Sequence, residues 1–141
     1  MNIRVIYQRK ILRRKKMKVV NSPQAPDAVG PYSQAIRTGN LIFLSGQIGI
    51  NKETGQLAEG LEKQTQQAFK NISYVLESEG LTLANIVKVT VLLSDIQDFA
   101  KVNEIYAQQF QAPYPARSTF AVKDLPLDAF VEIEVIAEVA N

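Results

Sequence analysis

Leu61-Glu62-Lys63-Gln64-Thr65-Gln66-Gln67-Ala68-Phe69-Lys70-Asn71-Ile72-Ser73-Tyr74-Val75-Leu76-Glu77-Ser78-Glu79 is the stretch that decides the fold class. Thr65, Ala68, Phe69, Ile72, Val75 and Leu76 recur at steps of three and four residues. One stripe of a helix is therefore apolar and must face a core. Gly80 is placed to stop that helix. Immediately beyond it, Ile86 to Leu93 is rich in β-branched residues and reads as a strand. Ser94-Asp95 leads into a second helix over about Gln97 to Phe110, with Phe99, Val102, Ile105 and Tyr106 inward. Pro113 and Pro115 end it. Strands are expected over Arg117 to Val122 and Phe130 to Val139, with a loop from Asp124 to Asp128 between them.

Upstream of the deciding helix, Tyr32 to Ile36 and Leu41 to Gly46 read as short strands. Thr38-Gly39-Asn40 is the hairpin turn that joins them. Ser22-Pro23-Gln24-Ala25-Pro26 is extended by its prolines, and Asn51-Lys52-Glu53-Thr54-Gly55 is a polar loop. The order β-β-α-β-α-β-β, with hairpins at both ends, predicts an α+β layer. A mostly antiparallel or mixed sheet should carry two helices on one face. The other face should then alternate to polar residues. Leu41-Ile42-Phe43-Leu44 and Val91-Leu92-Leu93 do not alternate. A face that apolar is expected to pack on sister subunits.

With 141 residues and 46% apolar side chains, one domain with a real core is the expectation. No run of apolar residues is long enough to cross a membrane as a helix. The formal charge of +2 hides an asymmetry. Of the 16 basic side chains seven fall in residues 1–16, which hold no acid; nine remain against all 14 acids in the other 125 residues, a net of −5. The body of the chain is thus a poor match for a polyanion. The basic head has three readings: an arm for nucleic acid or a membrane surface, a crude transit peptide, or an extension upstream of a natural start at Met17. The third is preferred, with residues 17–141 as the functional domain.

Cysteine and histidine are both absent. Without cysteine no disulfide forms, which fits a cytoplasmic protein. Thiolate nucleophiles, Cys-His dyads, Ser-His-Asp triads and the usual zinc sites are excluded. Catalysis is left to carboxylates, tyrosines, lysine, arginine, hydroxyls, amides and backbone groups.

Past residue 16 the only arginines are Arg37 and Arg117. Arg117 follows Pro113 and Pro115 at the start of a predicted strand. A guanidinium grips a carboxylate through two parallel hydrogen bonds, so Arg117 is a candidate anchor for an acidic small molecule. The competing reading is a solvated charge at a strand end. Glu132 and Glu134 project to one side of their strand while Val131, Ile133 and Val135 project to the other. They are either an exposed acidic face or a carboxylate that positions water and moves a proton in a cleft shared with Arg117. Ser45-Gly46-Gln47-Ile48-Gly49 lacks the lysine and the glycine spacing of phosphate loops. It reads better as a strand end and bend. Asn71-Ile72-Ser73 matches a glycosylation sequon but falls inside the first helix. Tyr32, after Gly30-Pro31, is a core aromatic or the wall of a pocket.

Six segments in order carry a resemblance: Gly30-Pro31-Tyr32-Ser33-Gln34-Ala35, Leu44-Ser45-Gly46-Gln47-Ile48, Val87-Lys88-Val89-Thr90-Val91, Phe99-Ala100-Lys101-Val102-Asn103, Pro115-Ala116-Arg117-Ser118, and Ile133-Glu134 within Val131 to Ala137. From about Met17 to Val139 the chain resembles the Rid (YjgF-like) family, and most of all its RidA subgroup of reactive-intermediate deaminases. The resemblance implies a chorismate-mutase-like α+β fold and a homotrimer whose sheets pack around a central barrel. Sites would lie in clefts between adjacent subunits. It implies hydrolysis of 2-imino acids or their enamines to 2-oxo acids and ammonia, which protects pyridoxal-phosphate enzymes. No metal or organic cofactor is implied, and neither nucleic acid nor membrane is an expected partner.

Carried over by residue, Arg117 would clamp the substrate carboxylate and Glu132 would position water and shuttle a proton. Tyr32 would line the cleft, and Asn103 with the Ser45-Gly46 backbone would complete it. Thr119 stands where many RidA proteins carry cysteine; its backbone carbonyl would still reach ligand. Two rival functions remain: a non-catalytic trimer that holds a 2-oxo acid, and an RNA-binding or RNA-cleaving protein. The net of −5 outside residues 1–16 speaks against the second.

Overall fold

The computed structural model describes residues 2–140; Met1 and Asn141, the outer ends of the two expected segments, lie outside them. In chain order the elements are α1 (Ile3–Lys15), β1 (Met17–Val20), β2 (Ala35–Thr38), β3 (Leu41–Leu44), β4 (Gln47–Ile48), α2 (Gly60–Glu77), β5 (Ile86–Leu93), α3 (Phe99–Gln109), β6 (Ala116–Ala121) and β7 (Val131–Glu138). Short 3-10 turns occupy Leu83–Asn85, Ile96–Asp98 and Pro126–Asp128. The α+β class and the mixed sheet are as the sequence predicts. The third α-helix, α1, and the strands β1 and β4 are additions to that reading. α1 covers most of the basic head, and the described side chains over residues 2–9 are exposed.

The seven strands form one sheet in the order β1-β2-β3-β7-β5-β6, with β4 also pairing to β7. The hairpin β2–β3 is as expected, with Thr38 opposite Leu41. The second expected hairpin does not form. β6 pairs with β5 and runs parallel to it, whereas β7 inserts between β3 and β5, antiparallel to both. The reason is in the connections. A parallel pair needs a crossover, and α3 supplies it between β5 and β6. β7 then takes the centre because Val131, Ile133, Val135 and Ala137 are each at most 2% exposed there, which an edge could not achieve.

Helices α2 and α3 cover one face. Phe69, Ile72, Val75 and Leu76 of α2 are buried with Val89 and Val91 of β5 and Ile133 of β7 in one cluster. Each such side chain contributes about 1.5–3 kcal/mol by leaving water. Phe69, Tyr106 and Phe110 close the layer, with ring centroids 4.8–6.0 Å apart in edge-on or tilted contacts. Asn71 is fully buried and donates to the carbonyls of Ile48 and Ile50 at 3.2 and 2.9 Å. It ties β4 to α2 and is inaccessible to glycosylation. Gly49 sits beside that tie, where a Cβ would lie 2.5 Å from the Gln64 backbone. Gly49→Ala is therefore expected to push α2 off the sheet and cost about 1–3 kcal/mol. A urea midpoint equal to that of the wild type would contradict this.

The opposite face is left bare by this chain. Val19, Leu41, Phe43 and Phe120 are 37–61% exposed. Val19, Phe43 and Phe120 are registered with the partly buried Ile36, Leu92 and Ile136, and Leu41 lies two residues from Phe43 on the same side of β3. A connected apolar patch of this kind is a feature of interaction surfaces. Among the described residues no helix is long and apolar enough to cross a membrane.

Candidate active site

Residues of the expected site fall into two groups. Tyr32, Ser45, Gly46 and Glu132 line one cavity of about 770 Å³. Its outer wall is the 22–34 loop, which Gln34 fixes from a buried position. Gln34 accepts from the Ser22 amide at 2.8 Å and donates to the carbonyls of Ser22 and Pro26 at 3.1 and 2.9 Å. Ser45 braces the same loop. Its hydroxyl donates to the Ser33 carbonyl at 2.6 Å and its amide donates to the Gln34 carbonyl at 2.9 Å. Both donors of Ser45 are thus engaged within the chain. Tyr32 turns its hydroxyl back to accept from the Val29 amide at 3.3 Å.

Glu132 reaches this cavity from β7, where it is paired with Leu92 on one side and Ile48 on the other. Gly46 makes room for it: a Cβ there would overlap Glu132 Oε1 and lie 2.9 Å from Cδ. The glycines of the Ser45–Gly49 segment are thus explained by a carboxylate and a helix backbone. An anion such as phosphate would meet that carboxylate. Burial, and after it the neighbouring charge of Glu134, hold the Glu132 carboxyl above the usual carboxylate range.

The floor ends on the turn Pro126–Asp128. Leu127 and Asp128 both have φ 56°, in the left-handed region. That conformation costs an L-residue about 1–2 kcal/mol, and Leu127 is 66% exposed on the cavity rim. The turn is clamped behind by Gln64 of α2, whose Oε1 accepts from the Phe130 amide at 2.9 Å. Neither Leu127 nor Gln64 stands out as a site residue in the sequence. A glutamine in the register of the buried stripe, four residues before Ala68, was the available signal for the second.

Arg117 and Asn103 form the other group, around a cavity of about 420 Å³ that Tyr106, Tyr114 and Pro115 also line. Arg117 Nη1 donates to Asn103 Oδ1 at 2.8 Å. Its guanidinium carbon lies 4.5 Å from the ring centroid of Tyr106 and 5.6 Å from that of Phe99. The guanidinium thus sits over aromatic rings supplied by α3. Burial raises the Tyr106 hydroxyl pKa, and the Arg117 charge opposes that shift. Thr119 follows on the same side of β6, and its Oγ1, like Tyr106 Oη, is buried without a hydrogen-bond partner. The ion pairs among the described residues do not include Arg117. Arg37, the other arginine of the body, is paired with Glu79 at 3.5 Å.

The shared cleft expected for Arg117 and Glu132 is absent within one chain. Arg117 is registered with Val89 on the helix-covered side. Glu132 alternates with core-facing Val131 and Ile133 and lies on the bare side. A sheet separates them.

A family model described as Endoribonuclease L-PSP matches residues 22–139, all of the sheet but its first edge strand. The chain belongs to this family, the Rid (YjgF-like) family. An L-PSP family relative from Arabidopsis thaliana, named Reactive Intermediate Deaminase A, chloroplastic, is 51% identical over 123 residues, 86% of this chain and 66% of its own length. The human 2-iminobutanoate/2-iminopropanoate deaminase is 45% identical over 121 residues, 85% of this chain and 88% of that protein. Among solved structures of the family, E. coli TdcF with bound serine superposes with a TM-score of 0.83 at 38% identity, covering 87% of this chain and 99% of that one.

Proposed function

We propose that this protein hydrolyses 2-imino acids to 2-oxo acids and ammonia, in a site built between two copies of the chain within a homotrimer. One observation carries the reading. The cavity around Glu132 is lined by the acids Asp27, Glu132 and Glu134 and, among the described residues, by no lysine or arginine, while the guanidinium of Arg117, on the other side of the sheet, has no acidic partner among them. An anionic substrate needs both halves, and a second copy is the economical source of the missing one. The bare apolar face beside Glu132 gives that copy a surface to bury. The deaminase names of relatives at 45–51% identity support the reaction. The serine held by TdcF supports an amino-acid-like ligand.

In the proposed reaction Arg117 of one copy holds the substrate carboxylate. Glu132 of the other accepts a proton from water as the water oxygen bonds to C2 of the iminium. It then returns that proton to the amino nitrogen of the carbinolamine. Ammonia leaves as the hydroxyl proton passes to the again-ionised Glu132 carboxylate and the C2 carbonyl forms. A carboxyl held above its ordinary range is a stronger base for the first transfer than an ordinary carboxylate. Removal of these reactive species would protect pyridoxal-phosphate enzymes that they inactivate.

The reaction is tested by letting threonine dehydratase generate 2-iminobutanoate and trapping the remainder with semicarbazide. Less trapping in the presence of the protein is expected; unchanged trapping would leave a 2-oxo-acid-binding trimer as the better account. The pH profile adds a check. Glu132 acts as a base when ionised, so kcat/KM should fall as pH drops through its raised pKa. Glu134→Gln removes the smaller cause of that shift, and the acid limb should move part of the way to lower pH. An unmoved limb would show that Glu132 does not set it.

A further inference from the structure

The geometry points to Leu127 as the residue that selects the substrate side chain, and to 2-imino acids with an extended aliphatic side chain as the preferred class. The inference rests on the deaminase reading above and deepens it. C2 of a 2-imino acid is planar and carries three groups. Its nitrogen must face Glu132, where the proton is exchanged. Its carboxylate must turn away from Glu132 and Glu134, which line the same cavity, and toward Arg117. The side chain is then directed to the apolar part of the wall, which includes Val29, Tyr32, Ile48, Ile50, Pro126 and Leu127.

Among these only Val29, at 86%, is more exposed than Leu127, and Leu127 alone stands on a left-handed backbone. It is 66% exposed on a non-glycine backbone with φ 56°. Left-handed turns usually carry glycine or asparagine, so an apolar leucine there is not explained by the turn itself. The backbone behind it is pinned by the Ala129 amide donating to the Pro126 carbonyl at 3.1 Å and by the Phe130 amide donating to Gln64. A fixed turn that presents one branched apolar side chain to a cavity of about 770 Å³ is a wall with a defined position. A methyl side chain would leave that wall untouched; an isobutyl side chain would cover it.

The experiment compares kcat/KM for 4-methyl-2-iminopentanoate and 2-iminopropanoate, each generated by an L-amino-acid oxidase and followed by semicarbazide trapping. The ratio should favour the longer imine by about tenfold or more in the wild type, the low end for even one added methylene in an apolar pocket. Leu127→Asn, which tolerates the left-handed turn, should lower that ratio about tenfold, and Leu127→Met should restore most of it. A ratio that favours the shorter imine, or is the same in all three proteins, overturns the inference. So does a Leu127→Asn variant that loses solution mass with the ratio unchanged, since Leu127 would then belong to a subunit contact. If the wild type hydrolyses neither imine, the deaminase reading itself falls and the inference with it.

Discussion

Arg117→Ala is expected to lower kcat/KM for 2-iminobutanoate by about 10²-fold or more, chiefly through KM. Two charge-assisted hydrogen bonds to a carboxylate contribute about 1.5–3 kcal/mol each, and each decade corresponds to about 1.4 kcal/mol. In the proposed reaction the substrate carboxylate would be held alike before and during reaction, so loss of the clamp would be a loss of uniform binding, which appears in KM. Arg117→Lys should recover little. A lysine ammonium over the Tyr106 ring lacks the planar fork of parallel donors that a guanidinium presents to a carboxylate. Steady-state kinetics with the trapping assay checks both variants. A fall confined to kcat, or full recovery by lysine, would remove Arg117 from the clamp.

Glu132→Gln should behave in the opposite way. It would remove the proposed proton carrier and keep the shape, so kcat should fall by about 10²–10⁴-fold with KM little changed. Binding of a 2-oxo acid, measured by calorimetry, should persist. That combination separates an enzyme from a passive binding trimer, in which the glutamine variant and the wild type would be indistinguishable. The same substitution has a stability signature. The folded-state pKa of Glu132 is raised, so between the ordinary carboxylate value and the raised one the folded chain holds a proton that the unfolded chain has released. Stability therefore falls as pH rises through that window. Glu132→Gln should abolish this dependence and be more stable than wild type above it. Urea midpoints measured across the acid range check the sign.

Local pattern accounts for much of the fold. The stripe from Thr65 to Leu76 became α2 and the β-branched run Ile86 to Leu93 became β5 with the same ends. The alternation around Glu132 and Glu134 also holds, since Val131, Ile133 and Val135 are core and the glutamates are not. What local pattern does not encode is which strand lies beside which. β7 pairs with β3, a strand some ninety residues earlier, and nothing in either segment names the other. The missed C-terminal hairpin is that failure. β1 was missed because four residues ahead of the Ser22–Pro26 segment give too short a pattern, and β4 has only two residues.

The candidate site shows the same division. Residue chemistry picked out Arg117 and Glu132, and the structure adds that Arg117 is laid on Tyr106 and that Glu132 needs Gly46. Their placement on opposite faces depends on the register of β6 against β5 and of β5 against β7. That register is a property of the assembled sheet, invisible in either segment alone. Leu127 escaped notice for a different reason: its meaning lies in a backbone angle, and its neighbours Pro126 and Asp128 read as an ordinary loop.

The central claim is that Arg117 and Glu132 act on one substrate from two different copies of the chain. Mixing tests it directly. The Arg117→Ala and Glu132→Gln proteins, each expected to lose about 10²-fold or more of kcat/KM alone, are unfolded together in equal amounts, refolded and assayed at substrate well below KM. In a trimer with one site per subunit boundary, every mixed trimer regains one intact pairing, and about one quarter of wild-type activity should return. A mixture as inactive as its two components would place both residues in one copy's site and contradict the account.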